Sequence, residues 1–142
     1  MKVKHTVLTI IGSIGSFASY LFGGFDKLLI ALVIFMIIDF LSGLILAIVF
    51  KNSSKTKNGR VSSEAGIRGL AKKIFILFLV TVATQLDLVL GTSIVRDGVV
   101  IAFISMEGIS ILENATLAGL PVPRIIKNAL EVLNKSEDEN DE

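Results

Sequence analysis

The sequence predicts an all-α integral membrane protein. Four transmembrane helices, or three if the first does not span, precede a C-terminal amphipathic helix on the cytoplasmic surface. Three observations carry this. Hydrophobic residues make up 52% of the 142, mean hydropathy is +0.75, and the apolar residues fall in blocks, as in membrane proteins. One block, Leu28 to Phe50, contains a single charged residue, Asp39, and exceeds the roughly 20 apolar residues a helix needs to span a bilayer. Finally, a net charge of +1 conceals a basic stretch after that block and an acidic C-terminus.

The first segment, Val7 to Phe22, is short and weakly hydrophobic, with Gly12, Ser13, Gly15, Ser16 and Ser19 inside it. Gly23 to Phe25 can extend it. The second is Leu28 to Phe50, the third Ile74 to Leu90, and the fourth roughly Gly98 to Leu112. The spans are thus placed at about 7–25, 28–50, 74–90 and 98–115, in a transmembrane domain of residues 1–120. Gly119 to Pro123 holds two prolines, which end the helix and extend the chain. Arg124 to Asn134 returns to a helical period, with Ile125, Ile126, Ala129, Leu130, Val132 and Leu133 as its apolar residues. Residues 121–135 are therefore assigned to an interfacial helix and 136–142 to an acidic disordered tail.

The connections give the orientation. Gly23 to Lys27 suits only a tight hairpin. Lys51 to Lys73 sets Lys51, Lys55, Lys57, Arg60, Arg68, Lys72 and Lys73 against one acid, Glu64. Positive charge marks the cytoplasmic side. Lys2, Lys4, Arg124 and Lys127 agree with the loop on one topology, with both termini cytoplasmic. A cleaved signal peptide is the competing reading of the first segment: Lys2 and Lys4 would be its basic start and Ser16-Phe17-Ala18 its cleavage site. Within the loop, Ser62 or Ser63 can cap a helix beginning near Ser63. Its Arg68, Lys72 and Lys73 are expected to snorkel to headgroups. Asn52 to Gly59 has linker composition.

The candidate functional residues are the polar ones inside apolar segments. A carboxylate at mid-bilayer costs at least ~2.5 kcal/mol on insertion scales, so Asp39 should face other helices or water. Ser42 and Gly43 share its helix face. Thr84 and Asp87 in the third segment, and Glu107, Ser110, Glu113 and Asn114 in the fourth, form further polar stripes. Gly12 and Ser16 are spaced four apart, which lets helices approach closely in lipid. Each has a plain alternative: a packing face, a satisfied buried acid, or a carboxylate reaching interfacial water.

Several functions are excluded or disfavoured. The chain has no Cys and one His, His5, near the N-terminus, so thiol chemistry is absent and a metal site is not expected. No phosphate-binding or zinc-protease motif occurs. No enzyme activity and no cofactor are predicted. The basic loop lacks the interleaved aromatics of a nucleic-acid surface, and anionic lipid is its simpler partner.

The residues then resemble a known family. Gly23-Gly24 precedes the second span. Ile38-Asp39-Phe40-Leu41-Ser42-Gly43 follows, then Ser62-Ser63 through Gly66-Ile67-Arg68-Gly69-Leu70-Ala71-Lys72-Lys73. Leu86-Asp87 ends the third span. Glu107-Gly108-Ile109-Ser110-Ile111-Leu112-Glu113-Asn114, with Gly119-Leu120-Pro121-Val122-Pro123 behind it, is the most specific block. In this order and spacing they resemble the phage lysis and toxin-secretion holins of Gram-positive bacteria, phage holin family four. The resemblance covers nearly the whole chain. It implies a homo-oligomer that forms lesions in the host cytoplasmic membrane, depolarises the cell and releases an endolysin, or in relatives a toxin. A small ion channel or transporter subunit, an accessory protein acting through the charged tail, and an antiholin of the same fold are the alternatives.

Overall fold

The computed structural model describes residues 2–138. The chain is helical: α1 (Lys2–Phe22), α2 (Lys27–Ile45) continuing into a π-helical turn (Leu46–Phe50), α3 (Ser63–Leu90), α4 (Ile94–Leu117) and α5 (Arg124–Asp138). Residues 139–142, the end of the predicted acidic tail, lie outside the described residues. Among the described residues, three helices are long and apolar enough to cross a membrane: α1, α2 with its π-helical turn, and α3. α4 has 24 residues, about 36 Å at 1.5 Å per residue. It carries Arg96, Asp97, Glu107 and Glu113 and packs against α2, α3 and α5.

Local chemistry sets each boundary. α1 ends where Gly23 turns into the left-handed region (φ 73°), with the Gly24 amide donating to the Ser19 carbonyl at 2.8 Å. A Cβ on Gly23 would also lie 3.1 Å from the Arg96 side chain. Asp26 caps α2 by accepting from the Leu29 amide at 2.9 Å. Ser62 caps α3 through the Ala65 amide at 3.4 Å, so that helix starts at Ser63, as its sequence predicts. α3 is continuous from the basic loop to its C-cap, Gly91.

The loop itself is more than a linker. Ser53 is buried and its amide donates to the Gly59 carbonyl. The Asn52 amide side chain donates to the Leu117 carbonyl at 3.1 Å, tying the loop to the end of α4. Gly59 is required here: its φ is 70°, and a Cβ would lie 2.2 Å from the Lys51 carbonyl oxygen. Linker composition at Asn52–Gly59 reflects the demands of a folded turn.

The core is a narrow apolar seam. Leu29, Leu32 and Met36 of α2, Ile76 and Val80 of α3, and Val100 and Ile104 of α4 meet in it. The buried set is otherwise rich in polar residues: Asp39, Thr84, Asp87, Arg96, Ser105, Glu107 and Asn114. Large apolar side chains instead cover the outside, including Ile30, Ile34, Ile37 and Leu41 of α2 and Phe75, Phe78, Leu79 and Val82 of α3. Polar groups inside and apolar groups outside suit a lipid surrounding, where exposed apolar area carries no penalty and unpaired polar groups do. α1 differs, since none of its described side chains is buried.

α5 folds back along α4. Leu130 is buried at 6% exposure, and the Ser105 hydroxyl donates to its carbonyl at 3.4 Å. Gly108 permits this approach, because a Cβ there would lie 2.6 Å from Leu130 Cδ2 and 3.3 Å from Phe35 Cε2. Gly108→Val should therefore cost about 1–3 kcal/mol by overpacking and expose α5 to protease. Gly108→Ala should do so less, because the Leu130 side chain can turn aside. Equal protease resistance of parent and Gly108→Val would show that α5 does not dock on α4.

Candidate functional site

The helical register of α2 puts Asp39, Ser42 and Gly43 on one face, and that of α4 puts Glu107, Ser110 and Asn114 on another. In the folded subunit these faces meet. Asp39 is 5% exposed, Asn114 5% and Glu107 8%. The Asn114 amide donates to Ser42 Oγ at 2.8 Å and to Asp39 Oδ1 at 3.4 Å. The Ser42 hydroxyl donates back to the Asp39 carbonyl at 3.0 Å. Gly43 lies against the same group: a Cβ there would be in ordinary contact with Lys55 Nζ at 3.6 Å and Asn114 Nδ2 at 3.7 Å.

α3 completes the site with Lys73. Its ammonium donates to Asp39 Oδ2 at 2.8 Å and also to Glu107 Oε2. Lys55, from the basic loop, approaches Asp39 Oδ2 at 3.6 Å. Two carboxylates thus face two ammoniums, and the group is formally neutral. Neutrality matters because unpaired ions in a low-dielectric interior cost several kcal/mol each. The structure departs here from the sequence expectation that Lys73 reaches headgroups. Lys73 lies about 26 Å along α3 from Leu90, while Asp39 and Glu107 lie only about 18–20 Å from the same end of the bundle, at 1.5 Å per residue. The long Lys73 stem can span that difference, and two buried carboxylates hold it more strongly than interfacial water does.

The other predicted residues divide among separate places. Lys57, Arg68 and Lys72 line a cleft beside the cluster, together with Lys55, Thr56 and Ser110. Arg68 pairs with Glu64 at 2.7 Å. Lys51 and Arg60 lie exposed on the loop. Glu113 is exposed and faces a groove shared with Arg124 and Lys127. Gly12 and Ser16 lie on the exposed side of α1, away from the cluster.

Thr84 and Asp87 belong to the other end of the bundle. The Thr84 hydroxyl donates to the Val80 carbonyl at 2.9 Å. Asp87 caps α4, accepting from the amides of Val95 at 3.1 Å and Arg96 at 2.8 Å and from the Thr92 hydroxyl. Beside it, Arg96 engages all of its N–H groups. Nε donates to the Phe22 carbonyl at 2.7 Å and Nη2 to the Gly24 carbonyl at 3.2 Å. Nη1 and Nη2 reach the Asp26 carboxylate at 2.6 and 3.0 Å, and Nη1 also reaches Asp97. The guanidinium holds the Asp26 carboxyl below the usual carboxylate range.

Sequence reasoning missed Arg96 because Arg96 and Asp97 cancel in a nearly neutral turn. A signal was nonetheless present. A cation in the first turn of a helix opposes the helix dipole, so Arg96 there implies acidic or carbonyl partners nearby. Among the described residues no group of three or more His, Cys, Asp or Glu side chains could hold a metal ion.

The geometry is that of a helical bundle with an apolar surface whose buried charges are paired internally, and comparison with known proteins gives its family. The profile of the bacteriophage holin family matches residues 16–135. The chain belongs to that family. A probable holin of Bacillus phage phi105 is 30% identical over 87% of this chain and 86% of its own length. An uncharacterized protein of Listeria monocytogenes is 40% identical over 90% of this chain and 86% of its own length. An uncharacterized 14.9 kDa protein of Clostridium perfringens is 38% identical over 86% of this chain and 88% of its own length. No solved structure matches the chain. Holin membership points to a membrane protein with a non-enzymatic role, in line with the apolar helices.

Proposed function

We propose that the protein is a holin that oligomerises in the bacterial cytoplasmic membrane and forms lesions, which depolarise the host and release an endolysin or, in a toxin-secreting setting, a toxin. The observation that carries this reading is the buried cluster of Asp39, Lys73 and Glu107 inside a subunit whose outer surface is apolar. A single subunit with its charges paired inside is tolerated by lipid. The same polar faces, turned outward in an assembly, would be hydrated by water filling a lesion. Pairing within the subunit and hydration in the oligomer are then the two alternative ways of satisfying one set of charges.

In this reading α4 is the fourth crossing, shielded from lipid by its neighbours. The basic loop, the start of α1 and the start of α5 share the cytoplasmic side, so both termini are cytoplasmic. α5 is the amphipathic element of that side. Gly12 and Ser16, both exposed on α1, provide a face on which α1 can meet another copy. The lipid and the second copy are the binding partners. The released enzyme needs no stable complex.

Inducible expression in a bacterium, with and without a cytoplasmic endolysin, tests the reading. Turbidity and membrane potential are followed together. A delayed, abrupt depolarisation is expected, with lysis only when endolysin is present. Growth without depolarisation would remove the lesion function and leave an antiholin or accessory role. Graded, ion-selective conduction without protein release would indicate a channel. Asp39→Leu should shift the time of onset, and unchanged timing would remove Asp39 from the mechanism.

A further inference from the structure

The basic cleft at the loop end of the bundle is more specific than a diffusely charged surface. It encloses about 1020 Å³ between the folded loop and the first turns of α3. Five cationic side chains (Lys55, Lys57, Arg68, Lys72 and Lys73) line it against three carboxylates (Asp39, Glu64 and Glu107), a formal excess of two positive charges. Lys73, Lys55 and Arg68 are committed to those carboxylates. Lys57 and Lys72 have no ion-pair partner among the described residues, and both are exposed. The Thr56 hydroxyl in the same wall also lacks a hydrogen-bond partner among the described residues. The excess charge thus resides in two lysines that share one cavity.

The position of the cleft selects the ligand. α3 has 28 residues, about 42 Å, against a hydrocarbon core of about 30 Å. Measured from Leu90, the hydrocarbon boundary falls near Leu70 to Lys72, which is where the cleft opens. On the face of α3 that carries Arg68 and Lys72, Phe75 and Leu79 follow one and two turns deeper and are exposed, at 65% and 49%. A basic cavity at headgroup depth therefore borders an apolar stripe running toward the membrane interior. A free anion would use the first feature only. A phospholipid uses both, with its phosphate in the cleft and an acyl chain along the stripe.

We infer that this cleft is a binding site for one anionic phospholipid, with the phosphodiester held between Lys57 and Lys72. The net positive lining discriminates against zwitterionic headgroups, whose ammonium meets the same lysines. The inference rests on the membrane reading of the fold but not on lesion formation, and its test does not involve lysis.

The full chain is purified in a neutral detergent, and lipid retention is measured by native mass spectrometry with phosphatidylglycerol or phosphatidylcholine. Phosphatidylglycerol should be retained preferentially. Lys57→Gln/Lys72→Gln should weaken that retention by roughly tenfold to 30-fold, since a basic residue near anionic lipid contributes about 1 kcal/mol. Lys51→Gln/Arg60→Gln removes the same charge from the loop outside the cleft and should leave retention near the parent value. Equal loss in the two double variants would mean diffuse attraction and overturn the site. Equal retention of the two lipids would do the same. Displacement of phosphatidylglycerol by millimolar inorganic phosphate would make the cleft an anion site rather than a lipid site. Because the substituted side chains are exposed and carry no ion pair among the described residues, unchanged helical circular dichroism is expected for each variant.

Discussion

Replacing Lys73 by Met should destabilise the bundle by about 3–5 kcal/mol, the cost of removing one partner from a buried ion pair. Lys73 is the bridge between Asp39 and Glu107. Without it, two carboxylates at 5% and 8% exposure face each other with only the more distant Lys55 for compensation. They must then take up protons, admit water or move apart, and each route weakens the contact of α2 with α4. Asp39→Asn should be milder, because Lys73 keeps Glu107 and Asn114 can still donate to the new side chain. The informative variant is the triple one, Asp39→Asn with Lys73→Met and Glu107→Gln. It removes every charge of the triad, and the buried pair contributes little net stability over a neutral replacement. Most of the loss in Lys73→Met should therefore return. Thermal unfolding in a mild detergent measures all three. A Lys73→Met protein as stable as its parent would show that the ion cluster does not form. A triple variant as unstable as the single one would show that Lys73 acts through packing.

The same residues show how far the sequence could be read. Asp39 stood out because a lone carboxylate in a long apolar run has few physical explanations, and its partnership with Ser42 and Gly43 follows from helical period alone. The stripe of Glu107, Ser110 and Asn114 was legible for the same reason. That the two stripes face each other inside one subunit was not, because period fixes a face and leaves its direction open. Lys73 shows the limit most plainly. Sequence gives a Lys its reach, and only the position of the carboxylates decides which way it turns. Asp87 likewise reads as an acid near a helix end, while its role as a cap for α4 depends on the turn that follows. Loop composition also misled at Asn52–Gly59, where Gly and Asn serve a hydrogen-bonded turn with a required left-handed residue at Gly59.

Arg96→Met should loosen the opposite end of the bundle by about 2–3 kcal/mol, within the range for lost hydrogen bonds to a charged group. The estimate is lower than for Lys73 because the acidic partners are half in solvent. The side chains of Asp26 and Asp97 are 47% and 41% exposed and can be rehydrated. The carbonyls of Phe22 and Gly24 are a different matter, since Arg96 is their tie to α4. α1 has no buried side chain among those described, so this turn is a main anchor of α1 to the rest of the bundle. Amide exchange should accordingly rise over residues 22–28 and change little in α3. Arg96→Lys should recover less than half of the loss, because one ammonium cannot cover the spread of acceptors that the planar guanidinium spans. Acid provides an independent check on sign. The Asp26 carboxyl titrates below its ordinary value of 3.8, chiefly through its hydrogen bonds to Arg96. Its contribution is therefore present above that value and is lost as pH falls through the lower folded one. The parent should lose protection at the turn in that acidic window, and Arg96→Met, already without the bond, should not. Turn amides that exchange equally in parent and variant at neutral pH would show that Arg96 does not anchor α1.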